Sequence, residues 1–350
     1  MGGGDKGRLE VGGQSILARV AVALRPQAAA LALSANADAG RWDDLALPVL
    51  PDEMPGLGPL GGLLAGLSWA EREGYAWLLT APTDTPFLPH DMRLRLGHAL
   101  RDGAAAAIAN SGGHRHPVVG LWSVALLPAL RRFLLAEGQR KVGAFAAACG
   151  AVTAHWPAEP VDPFLNVNTP ADLETANQIR CPPPMAGAVV LPQGATGYEL
   201  FDDYAAWVTR QGATPGGVLQ RGSKRGGDRP EDVVLAALDN GETYPLMQRL
   251  GKSGACAVDP HGLCASTAAL RRALERRLAP VFVNKFGPME ADGLGLADEM
   301  LAVMAEGLPL LTTVSQTRLE AWLAFCGGQC TLLDDDFASL VRWWQGWDWR

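Results

Sequence analysis

Three consecutive prolines, Pro182–Pro184, interrupt the middle of this 350-residue chain and constrain its fold more than any other feature. Proline fixes its own backbone and lacks an amide donor, so this segment is expected to be extended and to act as a linker. A chain of this length is sufficient for about two domains. The sequence therefore predicts a first domain over residues 1–180, a proline-rich linker over 181–186 and a second domain over 187–350.

Strand-like and helix-like segments alternate on both sides of the prolines. In the first half, strands are predicted at 31–36, 76–84, 104–110 and 116–123, and helices at 61–73, 91–103 and 126–138. In the second half, Asn240-Gly241 is typical of a hairpin with a type I′ turn. Such alternation predicts an α/β fold with a mostly parallel sheet in the first domain, followed by a second α/β domain.

The composition excludes several classes of function. An apolar content of 48% supports folded cores, and a net charge of −7 argues against non-specific nucleic-acid binding. The six cysteines form no C-x-x-C pair, which is typical of reduced thiols in the cytoplasm. The longest apolar stretch, residues 118–130, is shorter than the roughly 20 residues that span a bilayer. We therefore expect a cytoplasmic protein without nucleic-acid or membrane partners.

Two glycine-rich segments have the composition of phosphate-binding loops. The chain begins MGGGDKG, in which Gly3 and Gly4 allow backbone N–H groups to converge on an anion and Lys6 supplies a positive charge. A second segment begins at Gly58 and opens a predicted helix, whose dipole favours negative charge at that end. The alternative for the first segment is a polar amino terminus that binds nothing.

Polar side chains follow several predicted strands. Asn36, Asp52 and Asp84 each end a strand-like segment, and ligand sites in open α/β sheets lie at the carboxyl ends of strands. Asn166 and Asn168 occupy alternate positions of an extended segment, so both are expected on one face. The alternatives are that Asp84 caps a helix and that the two asparagines stabilise a turn.

Two histidines, His114 and His116, allow two interpretations. They could form a metal-binding pair, or they could be loop residues that contact substrate or solvent. The second interpretation is favoured because no third ligand is close to them in the sequence.

The ordered motifs MGGGDKG, SAN, PD, GPLGG, DTP, HP and FLNVNTP resemble the molybdenum cofactor guanylyltransferase family over residues 1–180. The resemblance implies a Rossmann-like nucleotidyltransferase domain that transfers GMP from GTP to molybdopterin and releases pyrophosphate. It implies GTP and molybdopterin, or the molybdenum cofactor, as substrates and Mg²⁺ as the metal. Molybdoenzymes and cofactor-chaperone proteins are the candidate protein partners.

The resemblance also assigns roles to individual residues. It makes Lys6 and Asp84 catalytic, and Asp84 is the expected ligand of Mg²⁺, which prefers carboxylate and phosphate oxygens. Asn166 and Asn168 are expected on the pterin side or at the phosphates. The nucleotide-binding residues are expected to be Gly3, Gly4, Lys6, Asn36, Asp52, Gly58 and Asp84.

The family pattern places a strand and an L-A-G-G loop ahead of the position that Met1 occupies here. We therefore expect the natural start to lie upstream and the additional strand to be central in the sheet. One alternative is a non-catalytic carrier that binds molybdopterin or a nucleotide. Another is a cytidylyltransferase or a sugar-phosphate nucleotidyltransferase.

Residues 187–350 resemble an uncharacterised domain family associated with molybdenum metabolism. The resemblance implies a fold similar to P-loop domains, although no G-x-x-x-x-G-K-[ST] motif is present. We expect an accessory domain that ends in a tryptophan-rich helix. Lys285 and Glu290 follow a buried strand, where they could contribute to an oxyanion or nucleotide site or form a purely structural loop.

Overall fold

The computed structural model describes residues 6–36, 46–53, 56–100, 103–137, 140–179, 186–192, 195–222, 232–250 and 255–345. The chain divides into two compact units, Met1–Cys181 and Pro182–Arg350, and each is described by itself. The division falls inside the segment expected to be a linker, of which residues 181–185 lie outside the described residues.

The first unit alternates short strands with helices. Its strands are β1 (Glu10–Val11), β2 (Gln14–Ser15), β3 (Leu33–Ser34), β4 (Val49–Leu50), β5 (Trp77–Thr80), β6 (Ala106–Ser111), β7 (His114–Ser123) and β8 (Val152–Trp156). Its helices are α1 (Ile16–Leu24), α2 (Pro59–Arg72), α3 (Met92–Ala99), α4 (Leu127–Glu137), α5 (Val142–Ala148) and α6 (Pro170–Gln178). The four strands and three helices predicted in this half are confirmed, with boundaries that differ by a few residues.

The strands of this unit form three sheets. The order β5-β7-β6-β8 forms a four-stranded sheet, whereas β1 pairs with β2 and β3 pairs with β4 in separate two-stranded sheets. The pairs β3–β4 and β6–β8 are parallel, whereas β7 runs antiparallel to both β5 and β6. β7 is antiparallel to β6 because a two-residue turn at Gly112 and Gly113 joins the two strands. The positive φ angles of these glycines, 54° and 81°, form a tight hairpin. The α/β class is confirmed, with mixed pairing in the four-stranded sheet.

Helices cover both faces of the four-stranded sheet. Along β6, Ala106 and Ile108 pack in one apolar cluster with α2, α4 and α5. The alternate residues, Ala107 and Ala109, pack in a second cluster with α1, α3 and α6. Every side chain of β6 is buried, which is expected of a strand that is covered on both faces.

The second unit contains the longest sheet. Its strands are β9 (Ala186–Leu191), β10 (Gly216–Arg221), β11 (Val234–Ala237), β12 (Thr243–Pro245), β13 (Met247–Leu250), β14 (Ala255–Val258), β15 (Val281–Val283), β16 (Leu310–Ser315) and β17 (Cys330–Leu333). Its helices are α7 (Tyr198–Arg210), α8 (Pro260–Glu275), α9 (Pro288–Ala291), α10 (Ala297–Ala305), α11 (Leu319–Phe325) and α12 (Phe337–Gln345).

Seven of these strands form one sheet in the order β12-β11-β10-β15-β16-β9-β17. The strands from β10 to β17 in this order are parallel, and β11 and β12 add an antiparallel edge. Helices α7 and α12 share one apolar cluster with the sheet, in which Leu340, Trp343 and Trp344 are buried. The tryptophan-rich helix therefore packs on the core of its own unit. Trp347 lies outside the described residues.

The hairpin expected at Asn240-Gly241 joins β11 to β12, but the type I′ assignment is wrong. A type I′ turn needs positive φ at both central residues. Gly241 has a φ of 73°, whereas Ala46 and Arg277 are the non-glycine residues with positive φ in the described chain. The loop instead spans residues 238–241 and is closed by a 2.8 Å hydrogen bond from Ala237 N to Glu242 O. The charged segment that precedes it, residues 223–231, lies outside the described residues.

No helix within the described part of the chain combines the length and the apolar character that a bilayer-spanning segment requires. Cys149, Cys264, Cys326 and Cys330 are free thiols.

A cavity of about 860 Å³ lies between the β3–β4 sheet and the four-stranded sheet of the first unit. It is bordered by β3 on one side and β5 on the other, and its walls are mainly apolar side chains of α1 and α2. Among the described strands, β3 pairs with β4 alone and β5 with β7 alone, so each presents an unpaired edge. A strand with an unpaired edge can take up a further strand along that edge.

This geometry tests the expectation of an additional central strand. We expect that adding a V-x-L-A-G-G segment ahead of Met1 will raise the melting temperature of the chain by at least about 5 °C. The physical reason is that each buried valine or leucine contributes roughly 1.5–3 kcal/mol. Thermal unfolding followed by circular dichroism measures the shift. The control is the same extension with serine at its apolar positions, and equal melting temperatures for the two extended chains would contradict the expectation.

Candidate active site

Asn36 and Asp52 lie side by side because the strands that precede them are paired. In the parallel register, Ser34 is opposite Leu50. Asn36 and Asp52 each lie two residues beyond their member of this pair. Asn36 Nδ2 donates to Asp52 Oδ2 at 2.7 Å, and the backbone N–H of Asp52 donates to Asn36 Oδ1 at 2.9 Å. Asn36 is exposed and Asp52 is half-buried. The two hydrogen bonds fix both side chains at the carboxyl ends of adjacent strands.

The beginning of α2 lies directly against this pair. Gly58 is the N-cap residue, with a φ of 57°. A Cβ atom at Gly61 would lie 2.8 Å from both Cγ and Oδ2 of Asp52, and one at Gly62 would lie 2.9 Å from Ser34 Oγ. Side chains at these two positions would therefore push the helix away from the strands. The Asp52 carboxylate lies at the positive end of the helix dipole, where negative charge is favoured.

Asp84 lies on the loop that follows β5, and this loop is tied to the asparagine segment. The backbone N–H of Val167 donates to Asp84 O at 2.9 Å. The neighbouring Thr85 is fully buried, and its hydroxyl donates to Asn166 Oδ1 at 2.8 Å. Helix α3 is capped at Asp91. The alternative in which Asp84 is a helix cap is therefore excluded.

Asn166 and Asn168 are both exposed, whereas Val167 between them is fully buried. This alternation places the two asparagines on one face of the segment. The N–H of Asn168 donates to Asp172 Oδ2 at 2.9 Å, next to the capping box that Thr169 and Asp172 form at the start of α6. Residue 168 thus also belongs to a helix cap.

The two histidines have different partners. His114 Nδ1 lies 3.1 Å from Gly112 O, whereas His116 Nε2 lies 2.8 Å from the hydroxyl of Ser111. Within the described ranges, no group of three or more histidine, cysteine or acidic side chains could hold a metal ion. Both histidines lie on strand β7, so the expected loop position is wrong. His114 is exposed and His116 is half-buried, and a contact of either with substrate stays a prediction.

Ser111 and Asp162 are functional candidates that the sequence did not reveal. The Ser111 hydroxyl donates to Asp162 Oδ1 at 2.8 Å, so His116 must donate its Nε2–H to Ser111. The same Asp162 oxygen accepts the N–H of Phe164 at 2.9 Å, and the Phe164 ring packs on His116 with centroids 5.0 Å apart. This cluster anchors the segment that carries Asn166. The signal that could have identified it is the aspartate two residues before a phenylalanine in VDPFLN.

Asp84 and two neighbours of the Asn36–Asp52 pair line one cavity. Ser34 and Gly62 line the cavity on the side of the Asn36–Asp52 pair, and Asp84 lines it on the other side. Of the amino-terminal loop, Gly3 and Gly4 lie outside the described residues, and Lys6 begins a short 3-10 helix, Lys6–Arg8.

Replacing Gly61 with alanine tests the contact between α2 and Asp52. The new Cβ would displace the Asp52 carboxylate and break its hydrogen bonds to Asn36, which are worth about 0.5–1.5 kcal/mol each. We therefore expect GTP affinity, measured by calorimetry, to fall roughly 10-fold. The control is Gly97→Ala on α3, where the nearest atom would be 4.0 Å away. That variant should keep the affinity, and an equal loss in both variants would contradict the role of the contact.

The pH dependence of stability tests the Ser111–His116–Asp162 cluster. Burial lowers the pKa of His116 below 6.5, an effect that Asp162 opposes and His114 reinforces. Because the unfolded chain then binds the proton more readily, stability should fall as the pH drops below about 6.5. We expect His116→Gln to flatten the dependence of melting temperature on pH between about 5.5 and 7.5. The control is His155→Gln, because His155 is exposed and is not among the groups that shift the pKa of His116. This variant should keep the wild-type slope, and parallel curves for wild type and His116→Gln would exclude the effect.

Comparisons with known proteins match both halves of the chain. Residues 1–151 match the family model described as the MobA-like NTP transferase domain, and residues 186–343 match a protein of unknown function, DUF2478. The molybdenum cofactor guanylyltransferase of Rhodopseudomonas palustris strain BisB5 is 48% identical over 183 residues, covering 51% of this chain and 87% of that protein. The protein of the same name from Cereibacter sphaeroides is 48% identical over 179 residues, covering 51% of this chain and 90% of that protein.

Among solved structures, the molybdopterin-guanine dinucleotide biosynthesis protein A from Archaeoglobus fulgidus aligns with 19% identity and a TM-score of 0.40. The alignment covers 50% of this chain and 90% of that one. The resemblance expected from the sequence motifs is confirmed by the Rhodopseudomonas palustris relative. This chain is 48% identical to that protein and covers 87% of that protein's length. The chain therefore belongs to the molybdenum cofactor guanylyltransferase family.

Proposed function

We propose that the first unit transfers GMP from GTP to molybdopterin, or to its molybdenum-loaded form, and releases pyrophosphate. The observation that carries this proposal is the 48% identity over 183 residues to a molybdenum cofactor guanylyltransferase. The matched half contains the Asn36–Asp52 pair and the Asp84 loop that is bonded to Asn166 through Thr85. Asp84 lines the cavity, as do Ser34 and Gly62 beside the pair.

The reaction requires alignment and charge neutralisation more than covalent catalysis. An oxygen of the terminal phosphate of the pterin attacks the α-phosphorus of GTP, and a new P–O bond forms there. The bond from the α-phosphorus to the oxygen that bridges to the β-phosphorus breaks, and pyrophosphate leaves with that electron pair. Both reactants are anions, so the protein must hold them together against their mutual repulsion.

Asp84 has the chemistry that Mg²⁺ requires. This ion usually binds one or two protein carboxylates together with substrate phosphates, so a single carboxylate beside a phosphate site fits it. Asp84 is half-buried on a loop whose backbone is tied to Val167, which limits the movement of its side chain. When bound, Mg²⁺ would supply neutralisation of the phosphate charges.

The other residues divide between the two substrates. We assign Asn36 and Asp52 to the nucleoside, because their hydrogen bonds to each other fix the donors and acceptors that they present. Asn166 and Asn168, exposed on one face beside the Asp84 loop, are assigned to the pterin side or to the phosphates. The triphosphate is assigned to Gly3, Gly4, Lys6 and Gly58, as the family resemblance implies.

The role of the second unit and a cytoplasmic location remain predictions. So do molybdoenzymes and cofactor-chaperone proteins as partners. The carrier and cytidylyltransferase alternatives are separated from the proposed reaction by the experiment that follows.

The test is calorimetric titration of the chain with GTP and with CTP, each with magnesium, followed by an assay of pyrophosphate release with molybdopterin. We expect saturable binding of GTP alone, and pyrophosphate release that Asp84→Ala abolishes while the melting temperature is retained. The control is Glu71→Ala, an exposed carboxylate in the last turn of α2, which should remain active. Binding of GTP without pyrophosphate release would favour the carrier, and binding of CTP instead would favour a cytidylyltransferase.

A further inference from the structure

The large sheet of the second unit has a topological switch point between β9 and β16. The connection from β9 to β10 passes over β16 and β15, whereas the connection from β16 to β17 passes over β9 in the opposite direction. Since such crossovers are right-handed, these two connections lie on opposite faces of the sheet. Their divergence leaves a crevice at the carboxyl ends of the two strands, which is where open α/β sheets bind ligands.

The amino terminus of α7 opens into this crevice. Its N-cap residue, Gly197, is in the left-handed conformation and provides no side-chain cap. A Cβ atom at Gly197 would lie 3.1 Å from Cγ2 of Thr313 on β16, so the helix end rests on that strand. The N–H groups of the first turn of a helix have no partners within the helix, and together with the dipole they favour an anion.

Asn284 provides an independent indication that a ligand binds here. It follows β15, the next strand in the sheet, and is 2% exposed. It lies on the same face of the chain as Phe282, whose ring packs on Phe201 of α7. The Thr313 hydroxyl donates to Asn284 Oδ1 at 3.5 Å, whereas Asn284 Nδ2 makes no hydrogen bond with the described residues. A buried donor without an acceptor costs about 1–3 kcal/mol, which an anion could recover.

The charged side chains near this crevice do not exclude an anion from it. Lys285 is exposed at the same strand end and adds positive charge, whereas Glu199 is an exposed carboxylate in the first turn of α7. Glu290 is excluded from this site, because its buried carboxylate accepts the N–H groups of Gly287 at 2.9 Å and Leu296 at 3.3 Å. The structural interpretation therefore holds for Glu290.

We propose that the second unit binds a tetrahedral oxyanion of the phosphate type between the amino terminus of α7 and the side chains of Thr313 and Asn284. The backbone N–H groups of α7 and the Asn284 amide are the donors. The Thr313 hydroxyl, whose hydrogen goes to Asn284 Oδ1, orients that amide. The oxyanion is either free or the phosphate group of a nucleotide, since both present the same oxygens. This site is separate from the transferase site proposed for the first unit.

The experiment measures binding of inorganic phosphate and of ADP to the full chain by calorimetry. We expect wild type to bind at least one of them, and Asn284→Ala and Thr313→Val each to weaken that binding roughly 10-fold or more. Tighter binding of ADP identifies a nucleotide site, and equal or tighter binding of phosphate identifies a free anion. The control is Thr331→Val, an isosteric change on β17 of the same sheet, which should leave binding unchanged.

Stability separates a ligand-binding Asn284 from a structural one. Because its Nδ2 has no acceptor, Asn284→Ala should keep the melting temperature of the ligand-free chain within a few degrees while binding is lost. The Asp84→Ala chain should keep the phosphate or ADP binding, which distinguishes this site from the transferase site. The proposal would be overturned if wild type bound neither phosphate nor ADP, or if neither Asn284→Ala nor Thr313→Val weakened the binding.

Discussion

The close approach of α2 to the ends of β3 and β4 determines the geometry of the candidate active site. Gly61 and Gly62 leave space for the side chains of Asp52 and Ser34, so the positive end of a helix lies directly on two strand ends. The apolar residues of α2, among them Leu60, Leu64 and Leu67, are buried in the core and hold the helix in place. A polar site is thus positioned by packing that begins within one helical turn of it.

The sequence predicted the α/β class and the elements that carry the site, because both depend on local patterns. Strand ends followed by Asn36, Asp52 and Asp84 can be recognised from a strand-like run and the polar residue after it. The partners of these residues could not be predicted in the same way. The hydrogen bond from Thr85 to Asn166 joins positions 81 residues apart, and the Ser111–Asp162 bond joins positions 51 apart. Such pairs depend on sheet order, which a single sequence leaves undetermined.

The sequence-based predictions that are wrong also have local causes. Asn240-Gly241 indicated a two-residue turn, but β11 and β12 stop pairing earlier, so Gly241 alone takes the left-handed conformation. Gly112-Gly113, in contrast, forms the tight hairpin and places β7 antiparallel to β6. Both dipeptides are turn signals, and the pairing of the flanking strands decides what each becomes. Asn284 shows the same limit, because its missing hydrogen-bond partner is visible only once the sheet is assembled.

The cavity between β3 and β5 also has a consequence for association between molecules. Unpaired strand edges usually offer a template on which another chain can add its own sheet. Here both strands border one cavity, and α2 packs against β5 as well as against β3 and β4. Natural proteins protect unpaired strand edges by covering them with a helix, and α2 occupies that position here. The helix that brings Gly61 and Gly62 against the candidate site therefore also limits the access of another molecule's strand to these edges.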